Sequence, residues 1–376
     1  GTAGVITAAV PLPLPPWTLN QTGILMASRS PLAFTELPVV DVSGLFSSNR
    51  QDRLDAAGEL GKAAREVGFF YVSGHGVAPA VRSSLIDLTK QFFALSDEQK
   101  MAIYIGKSTN HRGYVPPGEE VMADGKGDTK EALDLGPEVP ADHPLVKAGT
   151  PFLGPNQWPD LDGFQSAIST YYDAVFDLGR HLLRGFALAL GEDEHFFDKY
   201  VTCPPSQLRL LHYPHNGEAT DSPGIGAHTD YECFTLLLPT APGLEVMNGA
   251  GEWIDVPLLP DAYVVNIGDM MEVWTNGRFV ATSHRVRKVK EERYSFPLFF
   301  ACDYDTVVEP LPAFVAKNEK PGFGPIRAGD HLLAQTMQSF TYLIEKQKRG
   351  EIGLPEGAKE LSSFGQEARQ KADADA

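Results

Sequence analysis

The sequence predicts an α+β protein in which a mixed, mainly helical N-terminal half packs on an all-β half of sandwich or jelly-roll type. Three observations carry this. The first half holds amphipathic runs with apolar residues at three- and four-residue steps, the longest over 162–190. After Ser206 the period changes to short β-rich runs: QLRLLHY, FTLLLP, GLEVM, EWIDV, AYVVNIG, RFVAT and RYSFPLFF, punctuated by Gly, Pro, Asn and Asp. The 36 glycines and 29 prolines among 376 residues supply the turns that many short strands need.

Residues 1–30 carry one charge, Arg29, and a proline cluster at Pro11, Pro13, Pro15 and Pro16. They lack the basic start and unbroken apolar stretch of a signal peptide, so they read as a disordered leader, with Met26 a candidate natural start. LPVVDV is a short strand, residues 50–66 are helix-favouring, and Phe69-Phe70-Tyr71-Val72 is an apolar strand ending in Ser73-Gly74-His75-Gly76. Over 79–95, Val81, Leu85, Leu88, Phe92 and Leu95 mark one helix face. Ser96 with Gln99 caps another short helix. Residues 106–128 are Gly-rich and polar and read as a long loop of functional length. Phe164, Ile168, Tyr171, Val175, Leu178, Leu182 and Phe186 line one face of the 162–190 helix, with Gly191 as its C-cap. A helix over 330–348 closes the chain, and 366–376 reads as a frayed tail. The expected organisation is a mixed region over 37–200, a jelly-roll core over 201–312 and a C-terminal extension over 313–365.

Composition excludes several classes. Hydrophobic residues make up 43% and charged residues 22%, an ordinary globular balance. The 49 acids against 32 bases give a net charge of −17, which argues against a nucleic-acid or anionic-membrane partner. Cys203, Cys233 and Cys302 form no CxxC spacing, so a disulfide framework or zinc ribbon is not expected and a reducing, cytoplasmic compartment is. No apolar run approaches the ~18 residues of a membrane span.

The chemistry is carried by His228-Thr229-Asp230, the one histidine among ten followed two residues later by aspartate. Residues i and i+2 of a strand share a face and can reach one ion. His284 follows 56 residues on. Two imidazoles and one carboxylate on one face of a metal leave open positions, the donor set of non-haem Fe(II) oxygenases. Arg293 lies nine residues after His284 and shares a strand face with Ser295. A guanidinium and a hydroxyl suit the distal carboxylate of 2-oxoglutarate; the competing reading is a surface ion pair with Glu291 or Glu292. On the strand 207–213, Arg209, Leu211 and Tyr213 alternate onto one face. Tyr213 can donate to the same carboxylate. Arg209 meets either a substrate or keto-acid carboxylate or an interior protein carboxylate.

With these motifs in hand, the chain resembles the isopenicillin N synthase-like branch of Fe(II)/2-oxoglutarate-dependent oxygenases from Leu37 to about Lys348. The resemblance runs through LPVVDVSGL, GFFYVSGHGV, LRLLHYP, GIGAHTDYECFTLLL, GLEVMNGAGEWIDVP, VVNIGDMMEVWTNGRFVATSHRV and ERYSFPLFF. It implies a distorted double-stranded β-helix (jelly roll) with flanking α-helices, and a tail helix over the mouth of the site. It implies Fe(II) ligands His228, Asp230 and His284, 2-oxoglutarate contacts Arg293, Ser295 and Tyr213, O2 as co-substrate, and a small-molecule substrate that is oxidised, most simply hydroxylated. Plant members usually carry Asn two residues before the tyrosine matching Tyr213; Leu211 stands there, which weakens one polar contact of the oxoglutarate pocket and removes no essential one. The segments GYVPPGEEV over 113–121 and GIGAHTDY over 224–231 are also similar to bacterial ethylene-forming enzyme, implying substrate or oxoglutarate contacts from Glu120, Arg209 and Tyr231. RYSFPLFF departs from that enzyme. Tyr114, Glu119, Phe279 and Phe299 complete the pocket candidates. Four alternatives stand beside the leading one: an oxoglutarate-independent oxidase in which Arg293 and Ser295 hold a substrate carboxylate, ethylene-forming breakdown of oxoglutarate, a metal-binding sensor without turnover, and a zinc hydrolase, which gives Arg293 no role.

Overall fold

The computed structural model describes residues 33–121, 130–215, 223–287, 290–358 and 364; the leader and tail read from the sequence lie outside them. The chain runs β1 (Val39–Asp41), α1 (Arg50–Glu66), β2 (Phe69–Ser73), α2 (Pro79–Phe93), α3 (Asp97–Ala102), β3 (Gly113–Val115), β4 (Glu131–Leu135), α4 (Pro144–Lys147) and α5 (Phe164–Ala189). There follow β5 (Gln207–Tyr213), β6 (Pro223–His228), β7 (Phe234–Pro239), β8 (Leu244–Met247), β9 (Trp253–Asp255) and β10 (Tyr263–Ile267). The chain closes with α6 (Asp269–Trp274), β11 (His284–Arg287), β12 (Arg293–Phe300), β13 (Val307–Val308), β14 (Ile326–Arg327), α7 (Ala328–Ser339) and α8 (Thr341–Lys348).

Two sheets face each other. The larger runs β1-β2-β10-β7-β12-β5-β4-β3 and the smaller β6-β11-β8-β9. Four strands of the larger sheet come from before residue 201, so the N-terminal half is woven into the same sheet as the jelly-roll strands. Period-2 alternation decides what each face does. On β12, Tyr294, Phe296, Leu298 and Phe300 pack toward α5, while Arg293, Ser295, Pro297 and Phe299 face the space between the sheets. The buried face of α5, from Phe164 to Phe186, backs the larger sheet, each fully buried Leu or Phe contributing roughly 1.5–3 kcal/mol. The Ser96–Gln99 capping box forms, and Gly191 takes φ 80° after α5.

Four local expectations change. RFVAT forms no strand: Val280 N–H bonds the Ala64 carbonyl and the Thr282 hydroxyl bonds the Val67 carbonyl, so this segment is tied to the end of α1 instead of to a neighbouring strand. Gly68, at φ 74°, makes room, because a Cβ there would stand 2.0 Å from the Val280 carbonyl oxygen. DMMEVW, unassigned by pattern, is the short helix α6. The 106–128 segment contributes β3, paired with β4, and its residues 122–128 lie outside the described residues. The closing helix is two helices, broken where Phe340 turns extended (φ −107°, ψ 126°) and bridges Glu120.

Candidate active site

His228 is the last residue of β6 and His284 the first of β11, and the antiparallel register sets them directly opposite each other. Their ring centroids stand 4.2 Å apart. Asp230 follows in the turn beyond β6, its carbonyl accepting from Asp269 N–H at 2.9 Å. Asp230 Oδ1 lies 3.7 Å from His228 Nε2 and 3.5 Å from His284 Nε2, and the three donor atoms lie within 4.8 Å of one another. Cis ligands of one ion at ordinary bond lengths stand about 3 Å apart, so the cluster is of the right size to close on a single metal.

Outer contacts aim the three donor side chains. His228 Nδ1 lies 2.8 Å from the Gly226 carbonyl, and His284 Nδ1 lies 3.3 Å from that of Thr282. Donation at Nδ1 leaves each Nε2 lone pair for a metal. Burial and the neighbouring His228 push His284 down to about 4, the neutral form that ligates. Burial opposes charge on Asp230, but the two imidazoles and hydrogen bonds from Asn266 and Thr235 hold it below the ordinary carboxyl value.

The cavity between the sheets, about 150 Å³, contains this cluster together with Arg209, Tyr213, Arg293 and Ser295. Arg293 and Tyr213 are cross-strand partners on β12 and β5, the guanidinium carbon 4.8 Å from the phenol ring centroid. Arg293 Nε donates to the Ala241 carbonyl at 3.2 Å. Both Nη atoms and the Tyr213 hydroxyl are buried, and beyond their approach to each other they have no hydrogen-bond partner among the described residues. A fully buried cation with two such nitrogens is costly unless an anion meets it, and a dicarboxylate entering beside the metal cluster fits that requirement. The alternative, a surface ion pair with Glu291 or Glu292, is not formed among the described residues: Glu292 binds His212 at 2.9 Å on the opposite face of the sheet.

The substrate candidates divide. Tyr231, Glu120, Arg209 and Phe299 line the cavity. Arg209 is already paired: Nε and Nη2 grip Asp134 at 2.7 and 2.9 Å, and Nη1 meets Glu120 at 3.0 Å, with Lys130 on the same Glu120 carboxylate at 2.7 Å. The interior-ion-pair alternative is the one realised. Tyr114, Glu119 and Phe279 are not among the lining residues. Tyr114 faces the helical layer, where its hydroxyl donates to Glu131 at 2.6 Å. Glu119 accepts from the Tyr104 hydroxyl and the Tyr342 N–H, at 2.7 and 2.8 Å, and Phe279 packs on Phe186.

Sequence reasoning missed four residues: Thr235, Asn266, Asp134 and Glu232. Thr235 and Asn266 both donate to Asp230 Oδ2, Asn266 at 2.6 Å; their inward parity on β7 and β10 was the available signal. Asp134, on a strand the pattern did not show, anchors Arg209. Glu232 also lines the cavity, and burial with Asp230 and Asp269 nearby pushes its carboxyl up to about 8. The tail helix α7 lines the cavity with Leu332, Thr336 and Ser339, docked by His331 Nε2 on Asp269 at 3.0 Å. This agrees with the expected tail helix over the mouth.

Comparison with known proteins agrees with this geometry. Residues 37–161 match the family model described as non-haem dioxygenase in morphine synthesis N-terminal, and residues 204–301 match the 2OG-Fe(II) oxygenase superfamily. A 2-oxoglutarate-Fe(II) type oxidoreductase, hxnY, of Emericella nidulans is 35% identical over 82% of this chain and 92% of that protein. Homoarginine-6-hydroxylase 2-ODD-233 of Oryza sativa is 35% identical over 82% and 98%. Among solved structures, a 2OG-Fe(II) oxygenase family protein from Caulobacter crescentus superposes with a TM-score of 0.70 at 29% identity, covering 85% of this chain and all of that one. Neurospora crassa T7H in complex with alpha-KG and thymine gives 0.67 at 27%, covering 84% and 97%. Among the described residues no helix is long and apolar enough to cross a membrane. A jelly roll carrying a His-Asp-His cluster, matched along most of its length by these relatives, makes the chain a member of the 2OG-Fe(II) oxygenase superfamily, an oxidoreductase that uses Fe(II), 2-oxoglutarate and O2.

Proposed function

We propose that His228, Asp230 and His284 hold the ferrous ion and that Arg293, Ser295 and Tyr213 receive the distal carboxylate of 2-oxoglutarate. The product-forming step is the oxidation, most simply the hydroxylation, of a small molecule seated against Tyr231, Phe299 and Phe340. The observation that carries this is the buried Arg293 guanidinium, whose two Nη atoms have no partner beyond Tyr213 among the described residues and stand in the same cavity as three convergent metal donors. When bound, iron and 2-oxoglutarate activate O2 with release of succinate and CO2. The chain's own residues orient and shield. Asn266 and Thr235 fix the acid ligand, Arg293 selects a dicarboxylate by bidentate hydrogen bonding, and α7 with Phe340 keeps bulk water out. The Arg209–Asp134–Glu120–Lys130 cluster stiffens one wall. The homoarginine-6-hydroxylase relatives and the thymine-bound T7H structure support a small polar substrate.

The test is oxygen- and oxoglutarate-dependent succinate release by the chain loaded anaerobically with Fe(II). His228→Ala and Asp230→Ala are expected to fall to background. Retained oxoglutarate decarboxylation in both variants overturns the ligand assignment.

A further inference from the structure

Arg293 is the first residue of β12 and Tyr213 the last of β5, and the two are cross-strand partners. The pair therefore stands at the end of its ladder, where backbone pairing stops and strands fray most readily. Two side chains meant to meet one carboxylate need a firmer hold than a ladder end supplies.

That hold lies on the other face of the sheet. His212 and Tyr294 are the next cross-strand pair, and by alternation they point away from the cavity. His212 Nδ1 lies 2.8 Å from Glu131 Oε1 on β4, and Nε2 lies 2.9 Å from Glu292 Oε1, in the residue preceding β12. One ring thus bridges three consecutive stretches of chain in the sheet. Both ends are themselves anchored. Lys100 and the Tyr114 hydroxyl donate to Glu131 Oε2 at 2.8 and 2.6 Å, and the Tyr294 hydroxyl donates to Glu292 Oε1 at 3.1 Å. The His212 ring stacks on Tyr294, centroids 4.7 Å apart and planes within 10°, with Phe93 of α2 at 5.2 Å. The bonds from His212 and Tyr294 hold the Glu292 carboxyl below its ordinary value.

Half of the Glu292 side chain is exposed, and a pair that exposed contributes little to global stability. What it fixes is position: it joins the residue before Arg293 to the residue before Tyr213.

We propose that His212 is a positioning residue for oxoglutarate: by bridging Glu131 and Glu292 behind the sheet, it pins the ends of β5 and β12 so that Arg293 and Tyr213 meet the distal carboxylate together. This inference rests on the assignment of that carboxylate to Arg293 made above.

The experiment is equilibrium binding, by calorimetry under anaerobic conditions, to the full chain loaded with Fe(II). The probes are 2-oxoglutarate and 2-oxopentanoate, which lacks the distal carboxylate and is measured by competition with 2-oxoglutarate. His212→Phe is expected to lose about tenfold in affinity for 2-oxoglutarate, the scale on which supporting contacts act, and nothing for 2-oxopentanoate. Glu292→Ala is expected to lose about threefold for 2-oxoglutarate alone, as suits a half-exposed pair, with its melting temperature unchanged. Removing an anion beside the site would by electrostatics alone strengthen binding of a dicarboxylate, so a loss in Glu292→Ala reports lost position. Either of two outcomes overturns the proposal: a preference for 2-oxoglutarate that stays at the wild-type value in Glu292→Ala, or equal losses for both keto acids, which would make the bridge a general support of the fold. Failure of the Arg293 assignment is seen separately, as a wild type that does not prefer 2-oxoglutarate to 2-oxopentanoate.

Discussion

The Asn266 amide donates to Asp230 Oδ2 across 2.6 Å, and the Thr235 hydroxyl donates to the same oxygen. With Oδ2 held twice, Oδ1 is the oxygen that faces the two imidazoles. Partners of this kind orient a ligand and typically govern 10–100-fold in metal affinity. Asn266→Ala and Thr235→Val are each expected to weaken Fe(II) binding by about tenfold, with the double variant near the upper end of that range. Titration of the apoprotein with Fe(II), read by recovery of oxoglutarate decarboxylation, measures this. Metal affinity unchanged in the double variant would show that Asp230 needs no such hold.

Arg293 predicts a separation between stability and binding. Its two Nη atoms are buried with no partner beyond Tyr213 among the described residues, so the apoprotein bears a desolvated cation with little in return. Arg293→Met, similar in length and apolar, is expected to leave the melting temperature of the apoprotein unchanged or raised. Oxoglutarate stabilises the wild type by mass action and is expected to add no shift in the variant. A variant that still gains melting temperature from oxoglutarate would remove Arg293 from the cofactor site.

The contrast between what pattern shows and what it hides has a physical origin. β5, β7, β8, β10 and β12 were legible because each is a short β-favouring run bounded by turn residues, and α2 and α5 because their apolar positions recur at helical spacing. Two of the three clustered donors, His228 and Asp230, were legible as a pair because HxD places them in one chain segment. Asp134 was not, because β4 is buried on both faces and its five residues, EALDL, show no alternation. Nor was the fate of Arg209, since its partners lie 75 and 89 residues away in the chain and only the sheet order brings them together. RFVAT has strand composition but no neighbouring strand edge to join; tertiary contacts with α1 overrode its propensity.

Asp134 tests the structural role of Arg209. The pair is deeply buried, with Asp134 inaccessible and Arg209 8% exposed. Removing one partner of a buried ion pair leaves an uncompensated charge, which costs about 3–5 kcal/mol. Glu120 still contacts Arg209 in the variant, so Asp134→Ala is expected at the lower end, about 3 kcal/mol, by urea unfolding. Were Arg209 instead held for a substrate carboxylate, the same substitution would alter the KM for substrate and leave stability nearly intact.

His111 predicts a pH dependence of stability. Its ring packs edge-on to Phe340 at 4.5 Å and Nδ1 meets the Tyr342 hydroxyl at 2.6 Å, which ties β3 to the break between α7 and α8. Burial, with the Arg112 and Arg209 cations nearby, holds the imidazole well below its usual value. The unfolded chain takes up a proton near pH 6.5 whereas the native state does not. Stability from this residue is therefore fully present above that pH and is lost as the pH falls from there toward the native value, at up to about 1.4 kcal/mol per pH unit. Other carboxylates and imidazoles titrate over the same window, so the measurement is a difference. Urea unfolding of the wild type and of His111→Gln, which keeps a polar partner for Tyr342 and does not titrate, is compared at pH 7, 6 and 5. The wild type is expected to lose stability faster by about one proton's slope between pH 6 and 5. Parallel profiles would mean that the native state binds this proton as readily as the unfolded chain does, and that the packing around Phe340 opens to admit it.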